Sequence, residues 1–225
     1  MPAQHRWILV ALLALALAVR LPWVGATQLA HDEPFTVVMA HRELPDIFQR
    51  LRHENNPPLH FVLTHLWVKW VPLQREWLRM PSVIFSALLI WPLFLLGRSM
   101  GGLRAGVLAA LLVIGSSHHQ AFAHEVRSYA LFALLTATAM WQLQRAAQGA
   151  PRAGWYLIAL YIALVYTHFL GWSVLLMHGA LVLMPGPWRT AARAVRTAFI
   201  DTLLAYLPYA VIFVERLRYT GSAGT

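Results

Sequence analysis

"PPLHFVLTHLWVKW", Pro57 to Trp70, is the stretch on which the fold turns. If it crosses a bilayer, every later loop changes side. At about 100° per residue on a helical wheel, Leu59, Val62, Leu63, Leu66, Trp67 and Trp70 fall on one side. His60, Thr64, His65 and Lys69 fall on the other, with Phe61 and Val68 as exceptions. A helix from Pro58 to Trp70 is about 20 Å long at 1.5 Å per residue, short of the roughly 30 Å hydrocarbon core. Pro57 and Pro58 suit its start, because the first turn has no intrahelical use for those N–H groups. The pattern predicts a helix lying in the interface with its apolar side toward lipid.

The surrounding composition agrees. Of 225 residues, 59% are apolar and 12% charged, about half the charge of a soluble domain. Seven apolar runs are candidate spans, the fifth and sixth of them short: Trp7–Val24, Met80–Gly97, Ala105–Ala123, Ser128–Leu143, Trp155–Leu170, Trp172–Gly186 and Ala198–Val214. The fifth and sixth are nearly continuous, and a tight hairpin at Gly171 is expected between them. The first run has a short basic start like a signal peptide, but it continues through Leu21 to Val24 without a small-x-small cleavage site following and reads as an uncleaved span. Ten Trp, several near run ends, fit interfacial belts. Cysteine is absent, which excludes disulfides and thiolate metal sites.

Charge then tests the topology. With the N-terminus in the cytoplasm and Pro57–Trp70 flat, the inner segments carry Arg6, Arg98, Arg104, Arg145, Arg152, Arg189, Arg193 and Arg196 and no acid. The outer side receives every acid except Asp201. This satisfies the positive-inside rule, and threading Pro57–Trp70 through the bilayer destroys it. The net charge of +9 follows from topology and requires no nucleic-acid partner. The first outer loop, about 25–79, is charged and interrupted by Pro34, Pro45, Pro57 and Pro58, which predicts two or three short juxtamembrane helices. The fold expected is all-α and polytopic, a single module over 1–225 with seven membrane helices.

Under this topology "HDEPF", His31 to Phe35, and "HEVRSY", His124 to Tyr129, share the outer interface with Glu54 and His168. Ionisable groups near bilayer depth are costly and often functional. Plainer roles are open for each. Asp32 and Glu33 could cap a helix ahead of Pro34. Glu125 and Arg127 could be a surface ion pair of little value. His118, His119 and His124 match no dedicated metal-binding spacing, and Asp201 could pair with Arg196 or cap the last helix.

Taken in order, "HDEPF", "ENNPPLHFVLTHLW", "RMPSVIFSALLIWPLFLLGRSMGGLRAGVLAALLV", "AHEVRSYALFALLTATAMW" and "YTHFLG" resemble the GT-C superfamily of polytopic glycosyltransferases. The nearest branch is the bacterial relatives of protein O-mannosyltransferases and aminoarabinose transferases. The resemblance implies transfer of a sugar, with inversion, from a polyprenyl-phosphate donor to a hydroxyl of a glycan, lipid or protein. It places this chemistry at the outer face of a bacterial inner membrane. By motif position Asp32 and Glu125 become the catalytic acids, with Asp32 as base. Glu33, Glu54, His60, Arg127, Tyr129 and His168 become substrate-binding residues, Arg127 being the nearest cation for the leaving phosphate. Asp32 and Glu125 could instead hold a divalent cation. Two departures stand out: Asn55 and Asn56 replace a lysine found beside the loop acid in some relatives, and the chain stops at "RYTGSAGT", where family members run on through further spans. The expectation is an N-terminal module separated from its variable half. Rival readings are a transporter, which calls for ionisable groups at the midplane, and a noncatalytic lipid-binding membrane subunit.

Overall fold

The chain is all helical; a computed structural model describes the backbone of residues 2–222 except His53 and Asn55, with side chains as far as Val211. The asparagine at 55 and residues 223–225 lie outside the described residues, as do the side chains of Glu215 and the rest of the terminal "RYTGSAGT". The elements are α1 (Ala3–Arg20), α2 (Glu33–Ala40), α3 (Leu44–Leu51), α4 (Leu59–Val68), α5 (Arg75–Leu88), α6 (Ile90–Ile114), α7 (Ser117–Ala123), α8 (Tyr129–Ala147), α9 (Ala153–Thr167), α10 (Gly171–Leu183) and α11 (Ala192–Ser222). Among the described residues two stretches are long and apolar enough to cross a bilayer, Ala3–Trp23 and Arg75–Ile114. The second folds back on itself. Gly101 and Gly102 leave helical geometry, with Gly102 at φ 77°, a conformation glycine adopts without steric cost. α5 and the first arm of α6 therefore form one leg, and the second arm of α6 returns beside it.

The returning leg departs from expectation. Ala105–Ala123 was expected as one helix, but it breaks at Gly115–Ser116. Ser116 is extended there, and its hydroxyl accepts from the His119 N–H at 3.4 Å. This N-cap restarts the chain as the short helix α7. The expected hairpin at Gly171 is present. A Cβ on Gly171 would lie 2.6 Å from the Leu164 carbonyl carbon, so α10 can pack back on α9 only through a residue without a side chain. Gly171→Ala is expected to cost about 1–3 kcal/mol by overpacking, read as a lowered thermal midpoint of the purified protein. An unchanged midpoint would mean that the hairpin relaxes freely.

Successive legs run between two ends. At one end the Arg98 guanidinium meets the His5 ring at 3.3 Å, and the Thr190 hydroxyl donates to the Ala147 carbonyl at 2.7 Å. At the other, the Tyr209 hydroxyl donates to Asn56 O at 3.3 Å, joining α11 to the outer loop. One apolar core lies among α8–α11, around Leu157, Tyr161, Leu164 and Leu175. A second joins α1, α5 and α6 around Ala16, Ile90 and Phe94. Outward faces remain apolar: Trp7, Leu112, Leu176, Leu183, Leu204 and Val211 are each more than half exposed.

The segment between α1 and α5, expected as the first outer loop, forms three helices, and its prolines mark them. Pro34 and Pro45 sit in the first turns of α2 and α3, and Pro58 occupies the N-cap of α4. Met39, Ile47, Leu51 and Phe61 make a small core that binds the three together. At ten residues, α4 is about 15 Å long. The wheel separated its faces well, but the polar face turns inward rather than to water. His60, Thr64 and His65 are buried, while Leu63, Leu66 and Trp70 are exposed. Hydrogen bonds explain the inversion. The Thr64 hydroxyl donates to His60 O at 2.8 Å, and the His65 ring contacts Ala40 O at 2.9 Å. Pro81 has no N–H for the Trp77 carbonyl one turn earlier, and the Trp67 indole donates to that carbonyl at 2.7 Å. α4 is thereby pinned to α5.

Candidate active site

The end of the molecule that holds α2, α3 and α4 carries an open cavity of about 950 Å³. Its walls come from the segment after α1, the N-terminal half of α5, and the α7–α8 turn. Asp32, Glu33, Glu125, Arg127 and Tyr129 all line it. The sequence clusters "HDEPF" and "HEVRSY" therefore meet, although 88 residues of chain lie between them.

The two adjacent acids of the first cluster do different things. Glu33 is buried and grips Arg79 with both oxygens, Nε donating to Oε1 at 2.9 Å and NH2 to Oε2 at 2.8 Å. Its carboxylate also accepts from the Ala30 N–H at 3.0 Å and the Val126 N–H at 2.9 Å. Burial alone would raise the Glu33 carboxyl, but the hydrogen bonds from Arg79, Ala30 and Val126, with the Arg79 charge, outweigh it and hold the group below the ordinary value. Arg79 spends its other donors on Val24 O, Thr27 O and Oγ1, and Gln28 O, at 3.0–3.2 Å. The pair ties the first outer loop to α5, and through Val126 to the α7–α8 turn. Glu33 has little acceptor capacity left for a substrate.

Asp32 sits at the N-cap position of α2, but its side chain makes no capping bond. The carboxylate is exposed and pairs with Arg127 NH2 at 3.2 Å. Arg127 thus bridges the clusters through Asp32 rather than pairing with Glu125. Its guanidinium lies 5.7 Å from the centre of the Tyr129 ring, a cation–π distance that holds the cation against the wall.

Glu125 has a fixed backbone and an available side chain. The Ser82 hydroxyl donates to Glu125 O at 2.6 Å, and the next residue is held by Glu33. No described residue hydrogen-bonds the Glu125 carboxylate. Burial raises its pKa first, and the charge of Glu33 adds to that; His31, Arg127 and Arg79 oppose without cancelling it. His124 closes the turn, its Nε2 lying 2.9 Å from Arg20 O.

The remaining predicted site residues stand outside the cavity. His60 lines a separate small cleft with Arg127, Ser128 and Thr167. Burial and then the Arg127 charge lower it to about 4, so it is neutral at physiological pH. Glu54 borders an outer-loop hollow of about 460 Å³ with Arg42, Asp46 and Arg50. His168 packs behind the site, its ring 6.1 Å from that of Tyr129 and 5.3 Å from that of Phe132. Arg79 is the residue that sequence reasoning missed as part of the site. Its available signal was an arginine at the lip of an apolar run, on the side of the molecule rich in acids.

A divalent cation bound by Asp32 and Glu125 was the alternative role for these acids. Among the described residues no three His, Asp or Glu side chains converge as a metal site, and Arg127 already occupies Asp32. The donor set does not fit a resident metal. Compared with known proteins, the chain matches no family model and no curated protein.

Proposed function

We propose that the chain is a GT-C-type glycosyltransferase module, with seven spans and its cavity on the outer face of a bacterial inner membrane. A polyprenyl-phosphate sugar is the donor, and a hydroxyl of a glycan, lipid or protein is the acceptor. The observation that carries this reading is the single cavity lined by Asp32, Glu125 and Arg127. Supporting the membrane placement are the exposed apolar faces, the inward-turned polar side of α4, and arginines without acids at the opposite end. A donor of this kind keeps its lipid tail in the bilayer and its phosphate and sugar at the surface, and an interfacial cavity meets both demands.

In the proposed reaction the acceptor oxygen attacks the anomeric carbon from the face opposite the phosphate. The new C–O bond forms as the sugar–phosphate C–O bond breaks, and the electron pair leaves with the polyprenyl phosphate. The acceptor proton passes to Asp32, acting as general base. Arg127 accommodates the departing charge. Because Arg127 holds Asp32 beforehand, exchange of the arginine from carboxylate to phosphate would release the base as the donor arrives. Glu125 faces the same space and would position the acceptor or offset charge developing on the sugar.

The test is transfer of labelled sugar from a polyprenyl-phosphate donor in membranes holding the full reading frame. Transfer that requires this chain supports the proposal; movement of the lipid without sugar transfer points to a transporter. A pH profile adds a second check. With the Glu125 pKa raised, transfer that needs its charged form should fall as pH drops through a value above the ordinary carboxylate range. Glu125→Gln should remove that limb. A limb that persists in the variant would place it on another group.

A further inference from the structure

A second cavity, of about 810 Å³, lies between α10 and α11, at the end of the molecule opposite the acids. Its walls are apolar, including Leu175, Val182, Leu183, Val195 and Phe199, and Arg193 and Arg196 stand at one end. We propose that this groove binds an anionic phospholipid of the cytoplasmic leaflet, acyl chain between the helices and headgroup on the two arginines. The inference rests on the membrane placement above and is independent of the sugar-transfer reading.

Three observations select this occupant. The first is depth. The wall from Ala192 to Ile200 runs about 13 Å at 1.5 Å per residue, close to one leaflet of a roughly 30 Å core. The second is charge. Arg193 and Arg196 are exposed and lie one turn apart on α11. The nearest acid along the chain is Asp201, five residues beyond Arg196 on the same helix, and neither arginine has a carboxylate partner among the described residues. The groove therefore offers an apolar slot ending in two unneutralised cations, the arrangement by which basic pockets between membrane helices hold anionic headgroups. The third is shape. A Cβ on Gly179 would meet nothing within 4 Å, so the floor is open and no side chain among the described residues fills it. The chain's own tail is a poor occupant, because "ERLRYTGSAGT" carries two arginines and one acid.

The experiment uses the full chain purified in neutral detergent, with phosphatidylglycerol or phosphatidylcholine added and binding read by native mass spectrometry and thermal midpoint. Phosphatidylglycerol should bind preferentially and raise the midpoint. Arg193→Gln with Arg196→Gln should weaken that preference roughly 30-fold, the effect of two basic residues at an anionic surface. Gly179→Leu, which fills the slot and leaves both arginines, should abolish binding, and inorganic phosphate should not compete. Equal binding of the two lipids, or undiminished preference in the double-arginine variant, would overturn the proposal. So would a lipid-independent dimer that Gly179→Leu disrupts, since the groove would then be an interface between copies. Alkaline carbonate extraction separates the two levels: a protein retained in membranes but indifferent to lipid charge sinks this site alone.

Discussion

Arg79→Met should destabilise the protein by about 3–5 kcal/mol, the usual cost of leaving one partner of a buried ion pair uncompensated. Both side chains are essentially excluded from solvent, at 1% for Arg79 and 4% for Glu33. Loss of the guanidinium strands the Glu33 carboxylate and also frees the carbonyls of Val24 and Gln28, while Thr27 O keeps its bond from Arg75. The outer loop should detach first, because its remaining core is only the small cluster around Met39 and Phe61. Limited proteolysis should therefore cut between Gly25 and Pro58 in the variant and spare the wild type. The double variant Glu33→Met, Arg79→Met should recover part of the loss and not all of it, since two loop carbonyls and the Ala30 and Val126 N–H groups stay unpaired. A wild-type cleavage pattern in Arg79→Met would show that the pair does not hold the loop. The same pair sets an acid limb for stability. Because the Glu33 pKa is lowered in the fold, its contribution is complete above the ordinary carboxylate range and is lost as pH falls through the lower native value. Glu33→Gln should flatten that limb.

Asp32→Asn should lower sugar transfer by about 10²–10⁴-fold, the range for removing a positioned general base. The amide keeps the size and exposure of the side chain and cannot accept the acceptor's proton. Folding should survive, because the Asp32 side chain is 69% exposed and makes no cap for α2. This separates the two adjacent acids: Glu33→Gln should act through stability and Asp32→Asn through rate. Arg127→Gln gives a control on the exchange idea. Removal of the arginine frees Asp32 in the resting protein but deprives the phosphate of its cation, so donor binding should weaken. Full transfer by Asp32→Asn would move the base elsewhere, with Glu125 the next group in the cavity.

The prolines of the first outer loop announced its helices, because each sits where a first turn tolerates a missing N–H. The meeting of the two acidic clusters was also legible, since alternating spans and the distribution of arginine placed both on one side. The division of labour between Asp32 and Glu33 was not. Neighbours at a helix start point about 100° apart, and which one turns inward depends on Arg79, which lies 46 positions away from Glu33 along the chain. The Glu125–Arg127 pair, one of the roles left open from the sequence, does not form for a similar reason: Asp32 reaches Arg127 from across the cavity. On α4 the wheel found the two faces, but periodicity cannot tell whether a polar face meets water or protein. The fold-back at Gly101–Gly102 was readable as a gap between apolar runs. The break at Gly115–Ser116 was hidden inside one.

The chain has no cysteine, so single cysteines placed at Asp32 and at Glu125 report their own positions without background. In intact cells a membrane-impermeant maleimide should label both from outside, and a short bismaleimide should join them in the double variant. Labelling of the two positions from opposite sides of the membrane would contradict a shared outer cavity, and with it the proposed enzyme.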